Sequence, residues 1–357
     1  MLKFHPLKVK SRTQAADDAV CIAFELPAEL RDAYRFEAGQ HVAIRLTHAG
    51  EDVRRTYSIV CPADSGELRI GVRVQPGGRV SSWLAKGLAP GDILEVLTPN
   101  GSFHTRIEPQ RAKHYASFAA GSGITPVLSI AATVLALEPR SRFMLFYGNR
   151  TTASTMFLED VLSLKNRFPA RFSVHFLMSR EPQEAELLNG RLDRDKVREL
   201  AGRFFQVDGV DEFFICGPGT MVEDVSGALR ELGARGKIHT ELFTTGDHSS
   251  SAEPVRTVAT PTQALTQVAV VMDGRRRTFT MPRESGQTVL DAAARAGIDL
   301  PYSCRAGVCS TCRTRVVKGE VRMDHNLALE DWELEEGYVL CCQSHPVTPE
   351  LELTYDE

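Results

Sequence analysis

Five cysteines near the C-terminus, four of them ligands at most, have a spacing that can do chemistry. Cys304, Cys309 and Cys312 lie in PYSCRAGVCSTC, and an adjacent pair, Cys341 and Cys342, follows in YVLCCQSHP. C-x4-C-x2-C with a remote cysteine is the plant-type spacing for a [2Fe–2S] cluster. Structural zinc, the rival, usually draws on two separate C-x2–4-C knuckles; here three thiols crowd into nine residues. Gly307 sits inside that loop, which can turn backbone N–H groups toward the sulfurs and so hold a cluster's negative charge. Spacing alone leaves Cys341 and Cys342 competing for the fourth position. Such a cluster carries one electron at a time and binds no substrate, so the rest of the chain must explain where electrons come from.

Two motifs near the N-terminus fit a flavin. Arg55-Thr56-Tyr57-Ser58 ends a β-like run, and Tyr57 there could pack on a flavin ring with Arg55 facing its phosphates. Gly77-Gly78-Arg79-Val80-Ser81-Ser82 leads glycines into a helix, where free N–H groups can meet a pyrophosphate. An ordinary capped helix is the plain alternative. Further on, Gly121-Ser-Gly123-Ile-Thr125-Pro126 follows a strand and opens a helix. Its glycines permit a tight turn and close approach of a dinucleotide, and Pro126 suits a first helical turn. The third glycine of the usual fingerprint is missing. Arg150 and Ser179-Arg180 follow two later strands, and a 2′-phosphate needs such a cation and hydroxyl.

The two N-terminal motifs, in this order, resemble the flavin-binding barrel of the ferredoxin–NADP reductase superfamily. Gly-x-Gly-x-x-Pro and Cys216-Gly217-Pro218-Gly219 match its nucleotide domain, while LPYSCRAGVCSTC and YVLxCxxxP resemble plant-type ferredoxins. Gly319 to Cys342 resembles the reductase subunits of multicomponent di-iron monooxygenases. The resemblance covers nearly the whole chain. It implies FAD at Arg55, Thr56, Tyr57, Ser58, Gly78, Val80, Ser81 and Ser82, and NADPH at Gly121, Gly123, Thr125, Arg150, Ser179, Arg180, Cys216, Gly217 and Pro218. Thr125, Cys216 and Glu241 would line the hydride-transfer site, and Phe243 would cover the flavin face. Cys342, rather than Cys341, takes the fourth iron position beside Cys304, Cys309 and Cys312. The implied activity is electron transfer from NADPH through FAD and the cluster to the oxygenase component of a monooxygenase. Another oxygenase or a hybrid-cluster protein is the alternative acceptor. A non-catalytic redox sensor or zinc-stabilised module is the alternative of a different class.

The elements that must position these residues fall into three textures. Residues 1–108 alternate short β-like runs, among them RTYSIV through Ile59 and Val60, with Gly, Pro and Asp turns, as an antiparallel barrel does, with one helix near Ser81–Leu88. From 109 to 244, strands alternate with helical stretches such as Pro126–Leu137 and Met221–Leu232, which implies βαβ units and a parallel sheet. Residues 245–265 read as a Ser/Thr/Pro-rich linker. From 266 to 357 an α+β ferredoxin domain of β-grasp type is expected, with a hairpin turning at Asp273-Gly274. A short helix there would be capped by Thr288 and stopped before Gly297.

Net charge is −4, yet from residue 266 onward 10 Lys and Arg face 15 Asp and Glu. That balance excludes nucleic acid, which wants a basic face. The acidic end reads either as solvated surface or as a docking face for a basic partner. No apolar run reaches the roughly 18–20 residues of a membrane span, and the N-terminus lacks a secretory h-region. A cytoplasmic location is expected, where cysteines stay reduced.

Overall fold

The computed structural model describes residues 2–48, 50–243, 264–283 and 286–356. Its N-terminal domain is built from strands β1 (Phe4–Ala16), β2 (Ala19–Glu25), β3 (His41–His48), β4 (Glu51–Ser58), β5 (Leu68–Arg73) and, after helix α1 (Arg79–Lys86), β6 (Ile93–Leu97). They form an antiparallel sheet in the order β4-β3-β6-β1-β2-β5. The sheet curls shut just beyond β4, where Ile59 bridges Ile70 and Val60 N–H donates to Arg69 C=O at 2.9 Å. Closure protects the strand edges from pairing with another chain. The interior is filled by Leu7, Val9, Ile22, Val42, Ile44, Ile70, Val72 and Val96.

The barrel is followed by β7 (His114–Ala120), α2 (Ile124–Leu137), β8 (Arg142–Asn149), α3 (Leu158–Arg167), β9 (Phe172–Met178), α4 (Arg194–Leu200), β10 (Glu212–Gly217), α5 (Gly219–Glu231) and β11 (Lys237–Leu242). The strands are all parallel, in the order β11-β10-β7-β8-β9. Strands covered on both faces are apolar throughout, and EFFICG of β10 is wholly buried. One core takes α2 and α3; a second takes α4 and α5. The order reverses between β7 and β10, so a crevice opens at their carboxyl ends, where ligands of such sheets bind. The barrel packs on this domain through named bonds: Ser129 Oγ donates to Cys61 C=O at 2.7 Å, and Phe157 N–H to Ala15 C=O at 3.0 Å.

A second compact unit holds β12 (Leu265–Met272), β13 (Arg275–Pro282), α6 (Val289–Arg295), β14 (Arg313–Lys318), β15 (Val321–Met323), α7 (Asp331–Glu335), β16 (Tyr338–Leu340), β17 (Ser344–Pro346) and β18 (Glu350–Thr354). Its main sheet runs β13-β12-β18-β14-β16, with β12 and β18 parallel. Asp273 (φ 58°) and Gly274 (φ 68°) make the left-handed hairpin turn expected there. Thr288 Oγ1 accepts from Asp291 N–H at 3.2 Å and caps α6, and Gly297 (φ 73°) ends it.

Two expectations need amendment. The helix expected at Ser81–Leu88 begins two residues earlier, at Arg79, because Gly78 serves as its cap. The strand expected to run through Ile59 and Val60 ends at Ser58, since these two residues turn away to close the barrel. The linker lies almost wholly outside the described residues.

At the amino ends of β7 and β10, Glu212 is buried between His239, 3.0 Å away, and Lys113. Burial would lift its carboxyl, but hydrogen bonds from His239, Lys113 and Thr105 outweigh it and hold the group at about 2, against an ordinary 4.5. In acid the unfolded chain therefore binds this proton first. The stability Glu212 contributes is present above about pH 4.5 and lost as pH falls toward 2. Melting temperature against pH should show a shallower acid limb in Glu212→Gln; an unchanged limb would contradict the assignment.

Candidate flavin, nucleotide and iron–sulfur sites

β3 and β4 pair with His41 opposite Ser58, which sets the end of the Arg55–Ser58 motif at the mouth of the barrel. Ser58 is buried there, and its hydroxyl lies 3.4 Å from Glu241 Oε2. The same carboxyl oxygen lies 3.9 Å from Cys216 Sγ. Ser58, Cys216 and Glu241, drawn from β4, β10 and β11, thus meet at one corner. Burial and the neighbouring Glu241 push the Cys216 thiol well above its ordinary value, so it stays protonated and can donate S–H. Thr125 is turned elsewhere: its hydroxyl donates to Ser122 C=O at 2.9 Å, and its methyl group abuts Gly71 of β5. Phe243 packs, half-buried, against the core shared by α2 and α3.

Two glycines shape the β7–α2 turn beside this corner. A Cβ on Gly123 would lie 2.0 Å from Cys216 C=O, so the β7–α2 turn rests directly on β10. Gly121 (φ 56°) faces Arg73, whose guanidinium pairs with Asp18 at 3.2 Å and also bonds Ser154 C=O.

α1 starts at an extended Gly78 with no side-chain cap, and Gly77 has open space around its Cβ position. The helix N–H groups are therefore available to an anion. Ser81 is spent on the turn itself: its Oγ accepts from Gln75 N–H at 3.1 Å and donates to Gly78 C=O at 3.3 Å. Val80 is buried beneath, Ser82 is half-buried, and Arg55 is exposed. The open N–H donors and the space at the start of α1 fit a flavin pyrophosphate. At the ends of β8 and β9, Ser179 N–H and Arg180 N–H bond Asn149 and Arg150 carbonyls at 3.0 and 2.9 Å. Arg150 and Arg180 are thereby side by side, both exposed. Gly217 and the exposed Pro218 lead into α5 across the crevice.

In the second unit the cysteine loop holds Arg305 (φ 56°), Gly307 (φ 73°) and Ser310 (φ 47°) in left-handed conformations. Such strain persists only where surroundings enforce it. It aims Ala306 N–H at Cys304 Sγ at 3.3 Å, and Val308 and Gly307 N–H groups at Cys304 and Cys342. The thiols hydrogen-bond in two pairs, Cys304 with Cys309 and Cys312 with Cys342. Among the described residues no three His, Cys, Asp or Glu side chains close around a point that would hold a single ion. Two pairs of thiols fed by backbone donors fit a two-iron cluster, each iron taking two. The hydrogen bond from Cys309 brings Cys304 down to about 7 against the effect of burial. Cys341 points away: Tyr355 O–H meets its Sγ at 3.1 Å, and burial pushes its thiol up to about 12. Gln343 Nε2 donates to Cys342 Sγ at 3.4 Å.

Sequence reading missed Tyr355, Gln343, Arg73 and His41. Each is a common residue type with no motif around it, and each meets its partner only through the fold. The acidic stretch is also less free than expected. Asp324 pairs with Arg322 and His345, and buried Glu333 with Arg313, leaving Asp331, Glu335 and Glu336 exposed.

Barrel, parallel-sheet domain and cysteine domain together define a flavin- and pyridine-nucleotide-dependent oxidoreductase with an iron–sulfur domain. Family models agree: an oxidoreductase FAD-binding domain matches residues 6–105, an oxidoreductase NAD-binding domain 118–227, and a 2Fe-2S iron-sulfur cluster binding domain 271–347. The chain is 40% identical over 357 residues, 100% of its length and 99% of the relative's, to a component of the 1,2-phenylacetyl-CoA epoxidase of Escherichia coli. It is 32% identical to the ferredoxin reductase component of 3-ketosteroid-9-alpha-monooxygenase from Rhodococcus rhodochrous, over 98% of this chain and 96% of that one. Phthalate dioxygenase reductase shares the fold, with a TM-score of 0.57 at 23% identity and 98% of each chain covered. The chain belongs to the family of oxygenase reductases that includes this epoxidase component. It is an electron-transfer oxidoreductase that uses FAD, a pyridine nucleotide and a [2Fe–2S] cluster. Among the described residues no helix is long and apolar enough to cross a membrane.

Proposed function

We propose that this reductase draws electrons from NADPH and delivers them to the oxygenase component of a multicomponent di-iron monooxygenase, phenylacetyl-CoA epoxidase. The observation that carries the hydride-transfer part is the meeting of Ser58, Cys216 and Glu241 where the barrel mouth faces the carboxyl ends of β10 and β11. The acceptor part rests on the full-length similarity to the epoxidase component. Bound here, the flavin supplies hydride acceptance and the cluster single-electron transfer.

The chain's own residues orient and enclose. Arg55 and the first N–H groups of α1 hold flavin phosphates, with Gly78 keeping the approach open and Val80 and Ser81 fixing the turn. Tyr57, Thr56 and Ser58 border the ring, and Phe243 covers it. Gly121, Gly123, Gly217 and Pro218 let the dinucleotide backbone come close, with Thr125 steadying the turn. Cys216, kept as a neutral thiol, and the carboxyl of Glu241 line the nicotinamide position. Cys304, Cys309, Cys312 and Cys342 hold the irons.

For NADPH over NADH the support is local. Neither Arg150 nor Arg180 has an ion-pair or side-chain hydrogen-bond partner among the described residues. The neighbouring carboxyl of Glu181 is engaged by Thr152 N–H at 2.7 Å and Thr152 O–H at 2.6 Å. An unpaired cation beside Ser179 suits a 2′-phosphate. Arg180→Ala should raise KM for NADPH about tenfold, the loss of one charge-assisted contact, with NADH turnover little changed. An unaltered NADPH-to-NADH ratio in steady-state dye reduction would remove Arg180 from this role.

The partner is tested by reconstitution. The reductase, the epoxidase's oxygenase component and phenylacetyl-CoA should give NADPH-dependent product. Reductase that reduces dyes rapidly yet gives no product there, while driving another oxygenase, would refute the named acceptor.

A further inference from the structure

His41 opens β3 and is only 1% exposed, yet neither ring nitrogen has a hydrogen-bond partner among the described residues. Idle nitrogens on a buried imidazole are costly, and such groups in native proteins call for an explanation. The explanation lies across the seam: His41 Nδ1 is 3.7 Å from Glu241 Oε1. That gap exceeds hydrogen-bond length, and a small turn of the carboxyl closes it.

The histidine is the fixed member of this pair. Its main chain exchanges bonds of 2.9 and 3.0 Å with Asn100. Gly101 (φ 116°) lies against the ring, so closely that a Cβ there would stand 2.8 Å from Nδ1 and Cε1. Glu241, by contrast, is held loosely. Its Oε2 has only the long contacts to Ser58 (3.4 Å) and Cys216 (3.9 Å) among the described residues.

We infer that His41 is a positioning residue for the hydride-transfer corner: its Nδ1–H holds Oε1 of Glu241 and so aims Oε2 at Ser58 and Cys216. A carboxyl group facing Nδ1 places the imidazole proton on that nitrogen. His41 acts through Glu241 and needs no contact with nucleotide. The inference rests on the proposed reading of the Ser58–Cys216–Glu241 corner as the nicotinamide site.

The test is a double-mutant cycle on the flavin-loaded full chain, with His41→Phe, His41→Asn, Glu241→Gln and His41→Phe/Glu241→Gln. Asparagine retains an N–H near the place of Nδ1; phenylalanine keeps only the ring. Stopped-flow bleaching by NADPH, or by NADH if that is the better donor, gives a limiting rate and a half-saturation concentration. His41→Phe should lose about tenfold in limiting rate, within the scale of a positioned polar group, with half-saturation changed less than about twofold. His41→Asn should recover most of the rate. On the Glu241→Gln background, His41→Phe should add almost nothing, because residues acting as one unit are not additive. The flavin absorption envelope should be altered alike in His41→Phe and Glu241→Gln, a reading that needs no nucleotide. Additive losses, a His41→Asn as slow as His41→Phe, or a wild-type envelope in His41→Phe would overturn the inference. Failure of the wild type to bleach with either nucleotide would instead refute the proposed function, and the envelope comparison would still decide the role of His41.

Discussion

Cys342→Ala is expected to abolish the iron–sulfur cluster, and Cys341→Ala to leave it assembled. The two residues are adjacent in sequence and both buried, yet their thiols meet different partners. Cys342 is hydrogen-bonded with Cys312 and receives Gln343 Nε2 at 3.4 Å, while Cys341 is tied to Tyr355 O–H at 3.1 Å. Removing Cys342 takes away one of four thiolates. Removing Cys341 leaves all four and opens a small gap behind them, which costs about 1 kcal/mol or a little more. Iron content and visible absorbance separate the two variants. Cys342→Ala should retain flavin reduction by nucleotide and lose electron delivery to the protein acceptor. A Cys341→Ala variant that loses its iron while Cys342→Ala keeps it would reverse the ligand assignment.

Gly123→Ala is expected to disrupt the reductase unit far more than Gly77→Ala, although backbone angles alone predict the opposite. Gly77 has φ 72°, which charges any other residue about 1 kcal/mol, but nothing lies within 4 Å of its Cβ position. Gly123 has an ordinary φ of −60°. A methyl group there would lie 2.0 Å from Cys216 C=O and 2.5 Å from its carbon, both backbone atoms that no rotamer change can move. The β7–α2 turn would have to lift off β10, an overpacking cost of about 3 kcal/mol or more. It would also pull Cys216 away from Glu241. Gly123→Ala should therefore lower the melting temperature and nucleotide turnover together, and Gly77→Ala should chiefly weaken flavin retention. Equal melting temperatures for the two variants would contradict the close contact between turn and strand.

How far the sequence reveals this molecule depends on the range of each interaction. The hairpin at Asp273-Gly274, the Thr288 cap and helices α2 and α5 follow from neighbours in the chain, and reading them is straightforward. The glycine turns announce themselves because close backbone approach demands that residue type. Barrel closure through Ile59 and Ile70 carries no such mark, and Val60 reads as a continuing strand. Cys341 and Cys342 are equivalent by spacing, since Tyr355, which distinguishes them, is a single tyrosine near the C-terminus. His41 reads as one more histidine on a strand: its partner Glu241 is 200 residues away, and only packing of the parallel sheet onto the barrel mouth joins them. Thr125 shows the reverse. Its motif is plain in sequence, but its hydroxyl is bonded within its own turn.

The proposed function requires a nicotinamide–flavin–iron path within this one polypeptide. An anaerobic titration of the purified, reconstituted protein with NADPH, followed by visible absorbance, tests it most directly. Flavin bands and the overlapping iron–sulfur absorbance should both bleach in the wild type, and only the flavin bands in Cys342→Ala. A colourless zinc-containing protein, or a flavin that bleaches while an intact cluster stays oxidised, would contradict the account.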